Sequence, residues 1–301
     1  MSTPSVTEEV RTALAGNRPV VALESTILSH GLPPGRNREV AAKLERIVRG
    51  AGAVPATIAV LGGVAKVGLS EAELDYVCDP GNDLVKLSRR DLGAAFALKR
   101  DGATTVASTA ALAHAAGIGV FATGGLGGVH RGARETWDVS ADLDVLATTP
   151  VLVVCSGVKS ILDIGATLEL LETRSVPVLG YRTDVFPAFY RRESAFGVPW
   201  RVDSPVDAAA VVAAHRDSVP GTAGVLLANP IPHEFEMDVE LHDRLLAEGL
   251  ESTRDVHGKD VTPALLEHFH SASGGVSLDA NEALVVSNAA LAAQVAVQLC
   301  R

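Results

Sequence analysis

Short runs of Val, Leu, Ile and Ala alternate along the chain with longer segments whose apolar residues recur at helical spacing. The runs predict strands at Val20–Glu24, Thr57–Leu61, Leu84–Leu87, Thr104–Ala107, Val120–Thr123, Val151–Ser156, Val176–Gly180 and Gly224–Asn229. Between them the 3.6-residue pattern predicts helices at Arg38–Ala51, Glu71–Val77, Asp91–Arg100, Ala110–Ala116 and Ile161–Glu172. Ser70-x-x-Glu73 and Ser160-x-x-Asp163 have the form of capping boxes that start two helices. The last third reads as helical, at Val206–Arg216, Val239–Glu248, Pro263–Ser271 and Asp279–Leu299. Strands alternating with helices mark a mostly parallel sheet covered on both faces. No repeat and no Pro-rich or Gly/Ser-rich linker divides the chain, so 1–301 reads as one α/β domain. Tyr181–Ser204 is loop-like and carries most of the late aromatics, which fits a lid, an oligomer contact or a plain surface loop.

Composition narrows the class. Of the 301 residues 47% are hydrophobic but only 4% aromatic, so the core must be aliphatic. A formal charge of −10 argues against a general nucleic-acid or acidic-membrane binder, although a small anionic substrate needs only local cations and aimed N–H groups. Three widely spaced cysteines, Cys78, Cys155 and Cys300, form no CxxC pair and suit a reducing cytoplasm. The N-terminus lacks an apolar signal core, and the longest apolar stretches read as interrupted short of a membrane span.

In open α/β sheets ligands bind beyond the carboxyl ends of the strands, so the chemistry is sought there. Lys159 follows the strand Val151–Ser156 and directly precedes the helix that the Ser160 box predicts. Apolar neighbours and the positive end of that helix would both favour the neutral, nucleophilic amine that a Schiff-base lysine needs. A lysine that snorkels or pairs with Asp163 fits the same spacing. Gly124, Gly125, Gly127 and Gly128 follow another strand in a pattern that suits a phosphate or carboxylate cradle but is neither a Walker loop nor a dinucleotide fingerprint. His130 and Arg131 come next, then three acids, Asp138, Asp142 and Asp144. Asp138 precedes a probable-cap serine, Ser140, and is the better Mg²⁺ or Mn²⁺ ligand; Asp142 and Asp144 equally suit a helix N-terminus. Glu24 ends a strand in apolar surroundings, where a carboxyl group can keep a proton and act as a general acid. Lys86, Arg89 and Arg90 form a cationic cluster after another strand, and Asn281 and Asn288 lie two helical turns apart. These residues alone also permit a Schiff-base aldolase or a sugar-phosphate sensor without turnover.

Eight segments, in order, resemble the pseudouridine-5′-phosphate glycosidase family: Ala22–Gly31, Val54–Gly63, Lys86–Leu92, Gly102–Thr109, Thr123–Gly132, Ser140–Asp142, Lys159–Asp163 and Ala228–Pro232. The resemblance implies a three-layer α/β/α fold with a mostly parallel, mixed sheet. It also implies reversible cleavage of the C–C glycosidic bond of pseudouridine 5′-phosphate to uracil and ribose 5-phosphate. By the same resemblance, Lys159 is the catalytic lysine, Glu24 the proton donor and Asp138 the ligand of a divalent metal, typically Mn²⁺. Substrate contacts are expected at Lys86, Val106, Thr123, His130, Ser140, Ala141, Asp142 and Asn281, in a cytoplasmic homotrimer that binds neither nucleic acid nor membrane. Two departures are visible: Trp137 stands where the family usually has Phe, and Val158 where it commonly has Ala.

Overall fold

The computed structural model of the chain describes residues 4–254, 256 and 261–301. Among these it has eleven strands. They are β1 Ser5–Val6, β2 Val20–Leu23, β3 Val54–Leu61, β4 Val64–Val67, β5 Val85–Leu87, β6 Gly102–Thr104, β7 Val120–Ala122, β8 Leu152–Cys155, β9 Val178–Tyr181, β10 Trp200–Val202 and β11 Val225–Ala228. The main sheet runs β3-β2-β7-β8-β11-β9-β10 with every neighbour parallel. β3 is long enough to serve twice. Its first half pairs with β2, while its second half pairs antiparallel with β4 and β6, which carry β1 and β5 at their outer sides. The sheet is therefore mixed but mostly parallel, as expected.

Helices cover it in two layers. Val276–Leu299 packs on β2, β7 and β8 and against the helices Arg36–Gly50 and Pro205–Ser218; Val106–Ala115 packs on β2, β3 and β7 and against Ala141–Thr148. Cover on both faces explains why β2, β8 and β11 are apolar and buried at every position. Val276–Leu299 corrects one expectation, because it is long and apolar enough to cross a membrane by length and composition. Its contacts with three strands and its buried Ser277, Asn281 and Asn288 make it a core helix.

Three further sequence expectations shift. β1, β4 and β10 are not among the predicted strands: β1 has only two residues, and Lys66 and Arg201 interrupt the apolar pattern of β4 and β10. The predicted strand Thr104–Ala107 ends at Thr104, and Val106 opens a helix instead, because its Ala-rich continuation favours one. The helix after Lys159 starts at Ile164, capped by Asp163, whose carboxylate accepts from Ala166 N at 3.0 Å. Ser160 is thus not a cap, and the Ser70 box alone of the two closes as read, with Ser70 and Glu73 bonded reciprocally.

The segment 181–204 is docked from beneath. Phe186, Phe189 and Tyr190 are buried, Phe189 N donates to Ser156 O at 2.9 Å, and Tyr190 stacks on Phe269 with ring centroids 5.5 Å apart. Its aromatic centre is core, which removes the lid reading; Trp200 and Phe196 remain exposed on its outer part.

The carboxyl ends of the central strands are tied by one side chain. Asn288, fully buried, donates to Thr123 O at 2.8 Å and Gly124 O at 3.2 Å, and accepts from Asn229 Nδ2 at 2.9 Å. Replacing it by Leu would leave these buried groups unpaired, each at a cost of about 1–3 kcal/mol. Asn288→Leu is expected to lower unfolding stability by roughly 2–4 kcal/mol, read as a lower urea midpoint with an unchanged slope.

Candidate active site

The strands β2, β5, β6, β7 and β8 all deliver their carboxyl ends to one cavity of about 440 Å³. Glu24, the residue after β2, stands on its wall and accepts a short hydrogen bond from Thr123 Oγ1. Burial pushes the Glu24 carboxyl above its ordinary range. The charge of Asp142 acts the same way, while Lys159, the Thr123 hydroxyl and Lys86 pull against it. Glu24 is therefore suited to carry a proton at a pH where an exposed carboxyl has lost it.

Lys159 reaches the cavity because pairing between β7 and β8 continues past their ends. Leu126 and Val158 form a parallel bridge, Leu126 N donates to Gly157 O at 2.9 Å, and Lys159 N donates to Leu126 O at 3.2 Å. The turn needs Gly157, at φ +73°, where a Cβ would collide with Pro187 O. Lys159 Nζ donates to Gly125 O at 2.9 Å. This neutral carbonyl, not Asp163, is its partner, so the ion-pair alternative falls away. The helix-dipole part of the sequence argument falls too, since the following helix begins at Ile164.

In the Gly-rich segment four N–H groups are already bonded inside the protein. Leu126, Gly127, Val129 and His130 all direct their N–H groups inward, to Gly157 O, Asp142 Oδ2, Thr167 Oγ1 and Asp138 O. Gly127 is needed because a Cβ there would run into Ser140 and Asp142. Asp142 is buried and bridges two elements, accepting from Ala107 N at 3.0 Å at the start of the helix Val106–Ala115 and from Gly127 N at 2.9 Å. Ser140 caps the helix Ala141–Thr148, accepting from Asp142 N at 3.2 Å. Asp138 and Asp142 are thus not on one helix, as their spacing allowed; Asp138 lies ahead of the cap.

Ten of the eleven sequence-predicted residues line the cavity: Glu24, Lys86, Val106, His130, Asp138, Ser140, Ala141, Asp142, Lys159 and Asn281. Thr123 is the exception. It is buried behind Glu24, which it touches, and so acts on the site through that carboxyl. Arg90 joins the lining, whereas Arg89 turns away to Thr148 Oγ1 at 3.0 Å. His30 and Thr105 also line it and carried no sequence signal of their own. Burial, with the nearby Lys86 charge, holds His30 below its ordinary range. His130 is lowered by burial as well, with Asp138 opposing and Lys159 and Lys86 assisting.

Among the described residues no three His, Cys, Asp or Glu side chains cluster to hold a metal ion. Asp138 faces the cavity with His130 Nδ1 3.7 Å from its Oδ2, and no Lys or Arg pairs with it among the described residues. A single carboxylate of this kind fits a Mg²⁺- or Mn²⁺-type ion that keeps its waters and takes further oxygens from substrate.

The profile of the indigoidine synthase A-like protein family matches residues 9–298. The pseudouridine-5′-phosphate glycosidase of Salinispora tropica is 56% identical over 96% of this chain and 90% of its own length. That of Symbiobacterium thermophilum is 54% identical over 98% and 97%. Among solved structures, the prealnumycin C-glycosynthase AlnA in complex with ribulose 5-phosphate superposes with a TM-score of 0.91 at 41% identity, covering 100% of this chain and 98% of that one. An indigoidine synthase A-like protein of Thermotoga maritima superposes with a TM-score of 0.87 at 37% identity, covering 95% and 94%. With a cavity that gathers ten predicted residues and relatives matched end to end, the chain is an enzyme and belongs to the pseudouridine-5′-phosphate glycosidase family.

Proposed function

We propose that this enzyme cleaves the C–C glycosidic bond of pseudouridine 5′-phosphate, reversibly, giving uracil and ribose 5-phosphate. The observation that carries the reading is the convergence on one cavity of Glu24, a carboxyl with a raised proton affinity, and Lys159, an amine that donates to the Gly125 carbonyl and makes no ion pair among the described residues. A C–C bond offers no heteroatom for an acid to protonate, so a scheme with two carboxylates alone is poorly suited to it. An amine supplies another route. The Lys159 nitrogen adds to C1′ while the C1′–O4′ bond breaks, and O4′ takes the Glu24 proton. Glu24, left ionised, takes the surplus proton from the Lys159 nitrogen and returns it to C5 of the pyrimidine as the C1′–C5 bonding pair withdraws into that ring. The nitrogen lone pair closes the imine as uracil departs. Water hydrolyses that imine to open-chain ribose 5-phosphate and frees the lysine. The complex of AlnA with ribulose 5-phosphate is in keeping with such a route, because that ketose phosphate has no free C5 hydroxyl with which to close a furanose.

Lys86, with Arg90 at the same wall, supplies the positive field for the phosphate, and Asn281 and His130 offer hydrogen bonds to the sugar or base. Asp138 would hold the divalent ion, Mn²⁺ in the family's usual case, which supplies local positive charge and ordered waters. A homotrimer in the cytoplasm completes the proposal; exposed Trp200, Val206 and Phe235 offer apolar surface for subunit contacts, and sedimentation equilibrium measures the stoichiometry.

Purified enzyme with Mn²⁺ is expected to release uracil from pseudouridine 5′-phosphate and to slow on chelation; absence of uracil sinks the reading. Borohydride added during turnover should leave a reduced pentose-phosphate mass on the peptide containing Lys159. Lys159→Ala should keep its fold and lose turnover by several orders of magnitude, as loss of a covalent nucleophile does. Protonated Glu24 is the required form, so activity falls as pH rises through its pKa. The Thr123 hydroxyl favours the ionised carboxylate. Thr123→Val is therefore expected to move that limb of the kcat/KM profile to higher pH, and a downward shift would contradict the assignment.

A further inference from the structure

The segment between His130 and Ser140 leaves the cavity wall and returns to it. Its neck is fastened: Val129 and Val139 form an antiparallel bridge, His130 N donates to Asp138 O at 3.0 Å, and Ser140 N donates to Gly128 O at 3.0 Å. Beyond the neck, Arg131 reaches the carbonyls of Ile161 and Ser160, and the remaining bonds close the tip on itself. Ala133 N donates to His130 O, Glu135 N and Thr136 N to Gly132 O, and Trp137 N to Ala133 O. The four-residue helix Ala133–Thr136 has no buried residue and lies between two left-handed residues, Gly132 at φ +80° and Trp137 at φ +57°.

Trp137 and Phe189, the two large aromatics of the cavity, both hold positive φ, a strain of the kind that clusters at ligand clamps. What sets Trp137 apart is its exposure: it is 85% exposed yet contributes to the cavity lining. Phe189, the other large aromatic there, is 2% exposed and packed on Gly125, so its faces are already covered. Trp137 is therefore the aromatic on this wall with a face to offer. Its neighbours are Asp138 and His130, on the same stretch of wall.

We propose that residues 132–137 form a hinged flap whose Trp137 stacks on the pyrimidine ring of the substrate, recognising the base and closing the cavity over the reacting C–C bond. The inference rests on the pseudouridine 5′-phosphate reading. Stacking matches a planar, uncharged base, which a cationic side chain such as Lys86 does not by itself recognise. Closure by this flap also excludes bulk water while imine and base share the cavity, which in the synthetic direction keeps hydrolysis from outrunning the addition of uracil.

The chain has two tryptophans, and Trp200 does not line the cavity, so Trp200→Phe leaves Trp137 as the sole reporter. In that variant with Mn²⁺, uracil together with ribose 5-phosphate should shift the emission to the blue and protect it from acrylamide, and ribose 5-phosphate alone should do neither. Trp137→Ala should raise KM for uracil in the synthetic direction by roughly tenfold or more, with KM for ribose 5-phosphate unchanged. Trp137→Phe should restore most of the loss. Unchanged emission or an unchanged uracil KM in an enzyme that turns over overturns the flap. Emission already protected without ligand and dependent on protein concentration overturns it as well, because a second copy then covers Trp137. A wild type that releases no uracil overturns the substrate reading, and the flap with it.

Discussion

The site depends on how the open ends of three parallel strands are held together once their ladder stops. A parallel sheet leaves backbone carbonyls at its carboxyl edge, and buried carbonyls must find donors. Asn288, reaching from the C-terminal helix, supplies them to Thr123 and Gly124 at the end of β7 while accepting from Asn229 beyond β11. The two residues it fixes are the ones that matter for the chemistry: Thr123 donates to the Glu24 carboxyl, and Gly124 leads into the carbonyl that receives Lys159. An apolar residue at position 288 could fill the same space but would leave the edge without partners.

A second staple works from the opposite layer. Asp142 joins the start of the helix Val106–Ala115 to the Gly-rich loop, so the loop is anchored on one side by a carboxylate and on the other by the continued β7–β8 pairing. Glycine at 127 follows from that closeness, since a side chain would displace the carboxylate. Glu24 and Lys159 are thereby set in a firmly bonded frame, while the tip around Trp137 makes its backbone bonds within itself.

The electrostatics follow from the same frame. Glu24 is pushed toward its neutral form mainly by burial, and Asp142 adds to the push, whereas Lys159 and Lys86 resist it. His30 and His130 are driven toward neutrality by burial among those lysines. The cavity thus sets a carboxyl pushed toward its protonated form beside imidazoles pushed toward neutrality and two lysines, which suits the acid step proposed for Glu24.

Much of this was legible in the chain itself, because it depends on local pattern. Apolar runs without alternation betrayed strands covered on both faces, and polar residues at their ends marked where Glu24, Lys86 and Lys159 would lie. Strand order, the double use of β3 and the short strands β1, β4 and β10 were not legible, because pairing is decided by distant partners. Nor could spacing separate Asn281, which lines the cavity, from Asn288, which staples the sheet, two turns apart on one helix. The loop glycines announced close packing, but only the folded structure showed that a carboxylate and a cap serine press against Gly127. Sequence fixes what each residue can donate, accept or bury; which neighbour it meets is settled by tertiary packing, since the partners lie tens to hundreds of residues away.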